Sequence, residues 1–159
     1  MADSGKIILV LVFVCGLLAG IILSGLLFLQ TVDHGKHVIY SRNAPEPIGP
    51  YSQAVSSGNL VFLSGQIGID PVTGNLTSNV SGQTTRVMEN LRAVLENSGL
   101  GFEDVVQARI YLVNMSDWNT VNGIYGSYFN SSHPARAAVH VAGLPRGAAV
   151  EIEMVAQKR

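Results

Sequence analysis

After residue 35 of this 159-residue chain, hydrophobic positions recur with two different periods, and each period predicts one type of element. The segment "DVVQARIYLV" alternates apolar and polar residues, which is typical of a strand with one buried face. Short strands are also predicted at "HVIY", "RAAVHV" and "VEIEMVAQ". The segment "NLVFLSGQIGID" predicts a strand pair or one bent strand, with "PVTGN" as its turn.

Two segments follow the helical period instead. One runs from Val80 to Asn97, with Gly99 expected to end it. Its apolar positions are Val80, Val87, Met88, Leu91, Val94 and Leu95. Ser116 and Asp117 can cap a second helix that runs to about Phe129. The order of elements predicts an α+β fold with two helices on one face of a mixed sheet. Two helices cannot cover both faces, so another subunit is expected on the second face.

One long apolar segment stands apart from this pattern. Residues 7–29 read "IILVLVFVCGLLAGIILSGLLFL", without a charge. About 20 apolar residues in a helix cross the roughly 30 Å hydrocarbon core of a bilayer. The segment therefore predicts a single-pass membrane protein, with an anchor at residues 1–29, a linker at 30–35 and one domain at 36–159. A cleaved or uncleaved signal peptide is the alternative, although its apolar region is usually only about 7–15 residues long.

The side of the membrane on which the domain lies is left open by the sequence. Lys36 and Arg42 follow the apolar segment, and the excess of positive charge there weakly favours a cytosolic domain. Four N-x-Ser/Thr sequons point the other way, because they would matter only in a secretory lumen. They begin at Asn75, Asn79, Asn114 and Asn130.

The composition excludes some classes of site. Ten basic and eleven acidic side chains leave the chain near neutral, without the basic footprint of a nucleic-acid-binding protein. The only cysteine, Cys15, lies in the apolar segment, so the domain has no disulfide framework or thiolate metal site.

Two charged residues interrupt apolar strands near the C-terminus. A guanidinium such as that of Arg136 must be paired or face a cavity if it is buried, and its fork matches a carboxylate. Arg136 therefore either binds a ligand or forms a salt bridge with Glu151 or Glu153. The two glutamates share one strand face. Either could hold a water in a closed pocket, or both could be solvated.

Four other residues have both a structural and a functional interpretation. Tyr51 follows a Gly-Pro turn and could anchor the loop or bind a ligand. Ser64 and Gly65 end an apolar strand, where a bulge or a close approach to the backbone would explain the glycine. Asn122 lies inside a predicted helix, and could reach into a pocket or point to water.

Taken together, these segments are more specific than any of them alone. "IGPYSQAV", "FLSGQI", "ARIYLVNMSDWNTVNGIY" and "PARAAVHVAGLPRGAAVEIE" resemble the RidA family, also called the YjgF/YER057c/UK114 family, over about residues 36–158. The resemblance implies a chorismate-mutase-like α+β fold that forms a homotrimer with sites between subunits. It also implies hydrolysis of reactive enamines and imines, such as 2-aminoacrylate, to 2-oxo acids and ammonia, without a metal or organic cofactor.

The resemblance also implies roles for individual residues. Arg136 would bind the substrate carboxylate, and Glu151 would position the attacking water. Ala138 stands where many members carry cysteine, and would offer its backbone N–H to the ligand. The pocket-lining positions are Tyr51, Ser64, Gly65 and Asn122. The segment from Asn122 to Arg136 looks shorter than in bacterial deaminases, which would reshape the pocket rim.

Two functions from other classes stay open. The domain could be a non-catalytic module that senses small carboxylates, which would need Arg136 but not Glu151. It could also be an endoribonuclease, an activity attributed to some members of the family. The absence of a basic surface and of paired histidines argues against RNA as the substrate.

Overall fold

The computed structural model of the protein describes residues 14–16, 35–130 and 132–159. A compact unit spans His34–Arg159, and its architecture is the predicted α+β arrangement of one sheet with two α-helices. The strands are β1 (Lys36–Ile39), β2 (Ala54–Ser57), β3 (Leu60–Ile67), β4 (Val105–Leu112), β5 (Ala135–His140) and β6 (Val150–Gln157). The helices are α1 (Val80–Asn97) and α2 (Trp118–Gly126).

The sheet is mixed, with the strand order β1-β2-β3-β6-β4-β5. Neighbouring strands are antiparallel except β4 and β5, which are parallel. Parallel neighbours need a crossover connection, and α2 lies in the segment that makes it. This connection matters for the site, because α2 and the edge strand β5 carry different parts of it.

The main core lies between the helices and one face of the sheet. Met88 and Leu91 of α1 are fully buried in the same cluster as Val121 of α2. The sheet contributes residues such as Ile110 and Ile152, which are register partners on β4 and β6. Burial of each large apolar side chain contributes about 1.5–3 kcal/mol, so this layer is the main source of stability.

The other face of the sheet keeps large apolar side chains in contact with solvent. Phe62 on β3 is 47% exposed and Val139 on β5 is 45% exposed. Phe62 alternates with buried positions of β3, and Val139 follows Ala138, which packs against the main core, so both point away from the helices. Cover by another subunit stays a prediction for this face.

The structure departs from the sequence-based elements in two places. Strand β2 was not predicted, because "AVSS" mixes small and polar residues; it pairs with β3 across a turn where Gly58 has φ 58°. Strand β3 is the single bent strand that was one of the two predicted alternatives, with a register shift between Leu63 and Gln66. Helix α2 ends at Gly126 rather than near Phe129.

The predicted transmembrane core, residues 7–29, falls outside the described residues except for Val14–Gly16, which are helical. In the part of the chain that the structure describes, no helix is long and apolar enough to cross a membrane.

The start of α1 offers a test of the local fold. The Asn79 side chain accepts a hydrogen bond from the Gly82 backbone N–H at 2.7 Å, as an N-cap does. We expect Asn79→Ala to lower the free energy of unfolding by about 1 kcal/mol, measured by urea titration. Asn79→Asp keeps an acceptor at the cap and should stay near wild type. Equal losses in both variants would contradict the capping role.

Candidate active site

Arg136 is held in place without a carboxylate partner among the described residues. Its Nη2 donates to Asn122 Oδ1 at 2.7 Å. The guanidinium also stacks over the rings of Trp118 and Tyr125, with distances of 5.0 and 4.8 Å to the ring centroids. These contacts orient a cation and leave its charge uncompensated, so the exposed guanidinium is available to an anionic ligand.

The salt bridge considered from the sequence does not form. Glu153 pairs instead with Arg109, at 2.7 Å between Nη1 and Oε1. The sheet register explains why Arg136 and Glu151 stay apart. Arg136 lies opposite Ala108 on β4, whereas Glu151 lies opposite Tyr111, three residues further along that strand. Because side chains alternate between the two faces of a sheet, positions an odd number of residues apart face opposite ways.

The two proposed functional charges therefore point to opposite faces of the sheet. Arg136 points toward the helices and Glu151 toward the uncovered face. Their Cα atoms are separated by two strand spacings and three residues along a strand, which is roughly 14 Å. One small acid could not touch both side chains within one protomer.

Glu151 lies half-buried at the edge of a cavity of about 270 Å³. Tyr51, Ser64 and Gly65 line the same cavity. A Cβ atom on Gly65 would overlap the Glu151 carboxylate, so a larger residue where β3 bulges past β6 would displace that side chain. Burial, with a smaller effect from Glu153, raises the pKa of Glu151 above its ordinary value.

The loop and strand residues around Glu151 are themselves fixed. Ser64 Oγ donates to the Ser52 carbonyl at 2.6 Å. The Tyr51 hydroxyl accepts a hydrogen bond from the Ile48 backbone N–H at 3.3 Å. Tyr51 is 45% exposed, so its ring lies between the cavity and solvent on one side.

Arg136 borders a second cleft, of about 330 Å³, on the helix side of the sheet. Asn122, Tyr125 and His133 line it as well. Burial raises the pKa of Tyr125 to about 12, so this hydroxyl stays neutral beside Arg136. Ala138 lies two residues along β5, where the strand has a sheet neighbour on one side only.

The site residues predicted from the sequence thus form two groups. Tyr51, Ser64 and Gly65 lie with Glu151, whereas Asn122 and Ala138 lie on the side of Arg136. Sequence reasoning missed Trp118 and Tyr125. The signal was present, because Trp118, Asn122 and Tyr125 follow the spacing of one helical face. Among the described residues, no group of three or more His, Cys, Asp or Glu could hold a metal ion.

Comparison with known proteins identifies the family. The model of the endoribonuclease L-PSP family matches residues 41–158. The human 2-iminobutanoate/2-iminopropanoate deaminase is 45% identical over 122 residues, which cover 76% of this chain and 89% of the human protein. This chain belongs to the endoribonuclease L-PSP family, the family of the RidA proteins.

Solved structures of relatives share the fold. RidA from the Antarctic bacterium Psychrobacter superimposes with a TM-score of 0.75 at 40% identity, covering 76% of this chain and 98% of that one. The E. coli protein TdcF with bound serine has a TM-score of 0.75 at 34% identity, covering 77% of this chain and 99% of that one.

The predicted membrane localisation has to be corrected. The family match spans residues 41–158, so the relatives give no support to an anchor at residues 1–29. A span needs about 20 apolar residues in one helix, and no helix of the described part meets that requirement. The long helix α1 instead presents one apolar face to the core.

The raised pKa of Glu151 predicts a pH dependence of stability. The folded state holds this proton more tightly than the unfolded state, so its contribution is present at low pH and is lost as pH rises through the folded-state pKa. We expect Glu151→Gln to be more stable than wild type at pH 7 and to lose this advantage near pH 4. Urea unfolding at both pH values and one protein concentration measures the difference. An advantage that is larger at pH 4 would contradict the sign.

Proposed function

We propose that this protein hydrolyses reactive 2-imino and 2-enamino acids of the 2-aminoacrylate type to 2-oxo acids and ammonia. Residues 36–159 would form the catalytic unit, assembled as a homotrimer. The observation that carries the proposal is Arg136, which is oriented by Asn122 and two aromatic rings but has no carboxylate partner among the described residues. Such a cation suits the carboxylate of a small substrate.

Two relatives support the class of substrate. The human relative is named as a deaminase of 2-imino acids, at 45% identity. The structure of the E. coli relative holds serine, a small molecule with a carboxylate next to a nitrogen-bearing carbon. A 2-imino acid shares both groups, so it fits the same recognition chemistry.

In the proposed mechanism, Arg136 grips the carboxylate and so places the C=N carbon beside a water held by Glu151. An enamine substrate first becomes the imine by taking a proton from solvent at its terminal carbon and releasing one from nitrogen. Glu151 takes a proton from the water as the water oxygen bonds to carbon, the C=N electron pair moves to nitrogen, and Glu151 returns the proton to that nitrogen. Glu151 then passes the hydroxyl proton of the carbinolamine to nitrogen, and the C–N bond breaks as C=O forms, so ammonia leaves. A carboxyl group with a raised pKa suits this exchange, because acid–base groups work best with a pKa near the working pH.

The geometry of one protomer argues for sites between protomers. Arg136 and Glu151 point to opposite faces of the sheet, so a single substrate needs them from different copies. The exposed Phe62 and Val139 give the uncovered face the apolar character of a subunit contact. The same arrangement would bring the Arg136 edge of one protomer to the Glu151 cavity of the next.

The first test uses single variants of the purified protein. Arg136→Ala should reduce turnover of 2-aminoacrylate, generated by a serine dehydratase, to the rate in buffer, because positioning of the reacting carbon is lost. Size-exclusion chromatography with light scattering should show an unchanged oligomer. Full activity in the variant would refute the carboxylate-binding role.

A second test asks whether sites are shared between protomers. Subunits carrying Arg136→Ala are mixed and reassembled with subunits carrying Glu151→Gln. If each site takes Arg136 from one protomer and Glu151 from another, random mixing restores about a quarter of the sites, half times half. If both residues came from one protomer, no activity would return.

Glu151→Gln also separates catalysis from a sensing function. We expect kcat to fall at least about a hundredfold while binding of a 2-oxo acid, measured by calorimetry, stays within a few-fold. Unchanged turnover in this variant would contradict the proposed role of Glu151. The endoribonuclease alternative predicts salt-sensitive binding of RNA instead, which the near-neutral charge of the chain does not favour.

A further inference from the structure

Helix α1 carries three buried polar side chains, and two of them, Gln83 and Asn90, bond to the backbone of other segments. Gln83 is 5% exposed and Asn90 is 1% exposed. They are seven residues apart, so they lie on the same face of the helix, with the fully buried Val87 between them. Buried polar groups are costly unless they are hydrogen-bonded, so the hydrogen-bond partners of Gln83 and Asn90 indicate which segments these side chains hold.

Gln83 ties two backbone segments to the helix. Its Oε1 accepts from the Ala149 N–H at 2.8 Å, and its Nε2 donates to the Thr77 carbonyl at 2.9 Å. Ala149 comes two residues before Glu151 on the chain. Gly68 packs so closely against Gln83 that a Cβ atom there would lie 2.6 Å from the Gln83 Cα.

Asn90 holds the end of β3. Its Nδ2 donates to the carbonyls of Ile67 at 3.3 Å and Ile69 at 2.9 Å. Its Oδ1 is buried and has no hydrogen-bond partner among the described residues. Ile67 is the register partner of Glu151 and lines the same cavity.

The segments held by Gln83 and Asn90 form a small apolar cluster of their own, separate from the main core. Ile67, Ile69 and Ala148 are its buried members, with Leu144 packed against them. We call this cluster the cavity wall. It lies beside Glu151, because Ile67 and Pro145, the neighbour of Leu144, both line the cavity.

We propose that Gln83 and Asn90 are positioning residues, which act through the cavity wall to hold the Glu151 carboxylate in its half-buried place. The expected effect on catalysis rests on the proposed function, whereas the expected effect on the position of the Glu151 carboxylate does not. Asn90 bonds directly to Ile67 and Ile69 of the wall, and Gln83 bonds to Thr77 and to Ala149, the neighbour of Ala148. Arg86 of the same helix also pairs with Asp70, next to Ile69, but on the surface. Without these bonds, the wall would loosen and the Glu151 carboxylate would become more exposed to water.

The test compares Gln83→Met and Asn90→Leu, which keep similar volumes and remove the hydrogen bonds. The ¹³C chemical shift of the Glu151 carboxyl, followed by NMR against pH, reports its titration midpoint without any substrate. We expect the midpoint to move down toward the ordinary value in both variants. In the imine assay, we expect kcat to fall about tenfold and KM to stay within about twofold, because Arg136 binds the carboxylate elsewhere.

Val94→Ala is the matched control, since Val94 is fully buried in the same helix but belongs to the main core. It should lower the melting temperature while leaving the Glu151 midpoint and kcat unchanged. Glu153→Gln is the electrostatic control, since Glu153 lies on the same strand face as Glu151. The other titratable or charged groups on this side are Tyr111, which is opposite Glu151 on β4, Tyr51 in the cavity lining, and Arg109, which pairs with Glu153. It should lower the midpoint without loosening the wall.

The outcomes separate this proposal from the proposed function. Wild-type midpoint and kcat in both wall variants would overturn the positioning role, even if the enzyme is an imine deaminase. A shifted midpoint in a protein without deaminase activity would uphold the positioning role and refute the proposed function. If Asn90→Leu does not fold, Asn90→Ala, which also removes the donor, replaces it, and an unchanged midpoint in Asn90→Ala and Gln83→Met would overturn the proposal.

Discussion

The alternation of side chains along the strands, in a sheet covered by helices on one face only, is the constraint on which the structure depends. Every second residue of β4 and β6 enters the core, as Ile110 and Ile152 do, and the residues between them face the other way. Arg136 and Glu151 belong to different sets. A chemistry that needs both on one small substrate therefore needs a second copy of the chain.

The two halves of the site are built by different physical means. Arg136 keeps its charge beside a neutral amide and two rings, so the helix crossover between β4 and β5 orients the cation without neutralising it. Glu151 is instead pushed toward its neutral form by burial at a bulge where a glycine leaves room for the carboxylate. One half supplies a fixed charge and the other a titratable group.

The Glu151 half also shows how a candidate functional group is supported at a cost to stability. A half-buried carboxyl and the unpaired Oδ1 of Asn90 both lower stability, and the large core of α1 against the sheet offsets them. The separate apolar cluster of Ile67, Ile69 and Ala148 lets this corner differ from the main core without disturbing it. Natural folds break local rules of burial most often at such sites.

Much of this protein could be predicted from its sequence, because the informative signals are local. Periodicity located α1 and the long strands, and the spaced motifs indicated the family and the individual site residues. Strand β2 escaped notice because its small residues have no period of their own and gain their place by pairing with β3. The sequence by itself determined the family and the candidate site residues. Only the tertiary structure decided that they divide between two faces of one sheet, because strand register is set by pairing between segments far apart in the chain.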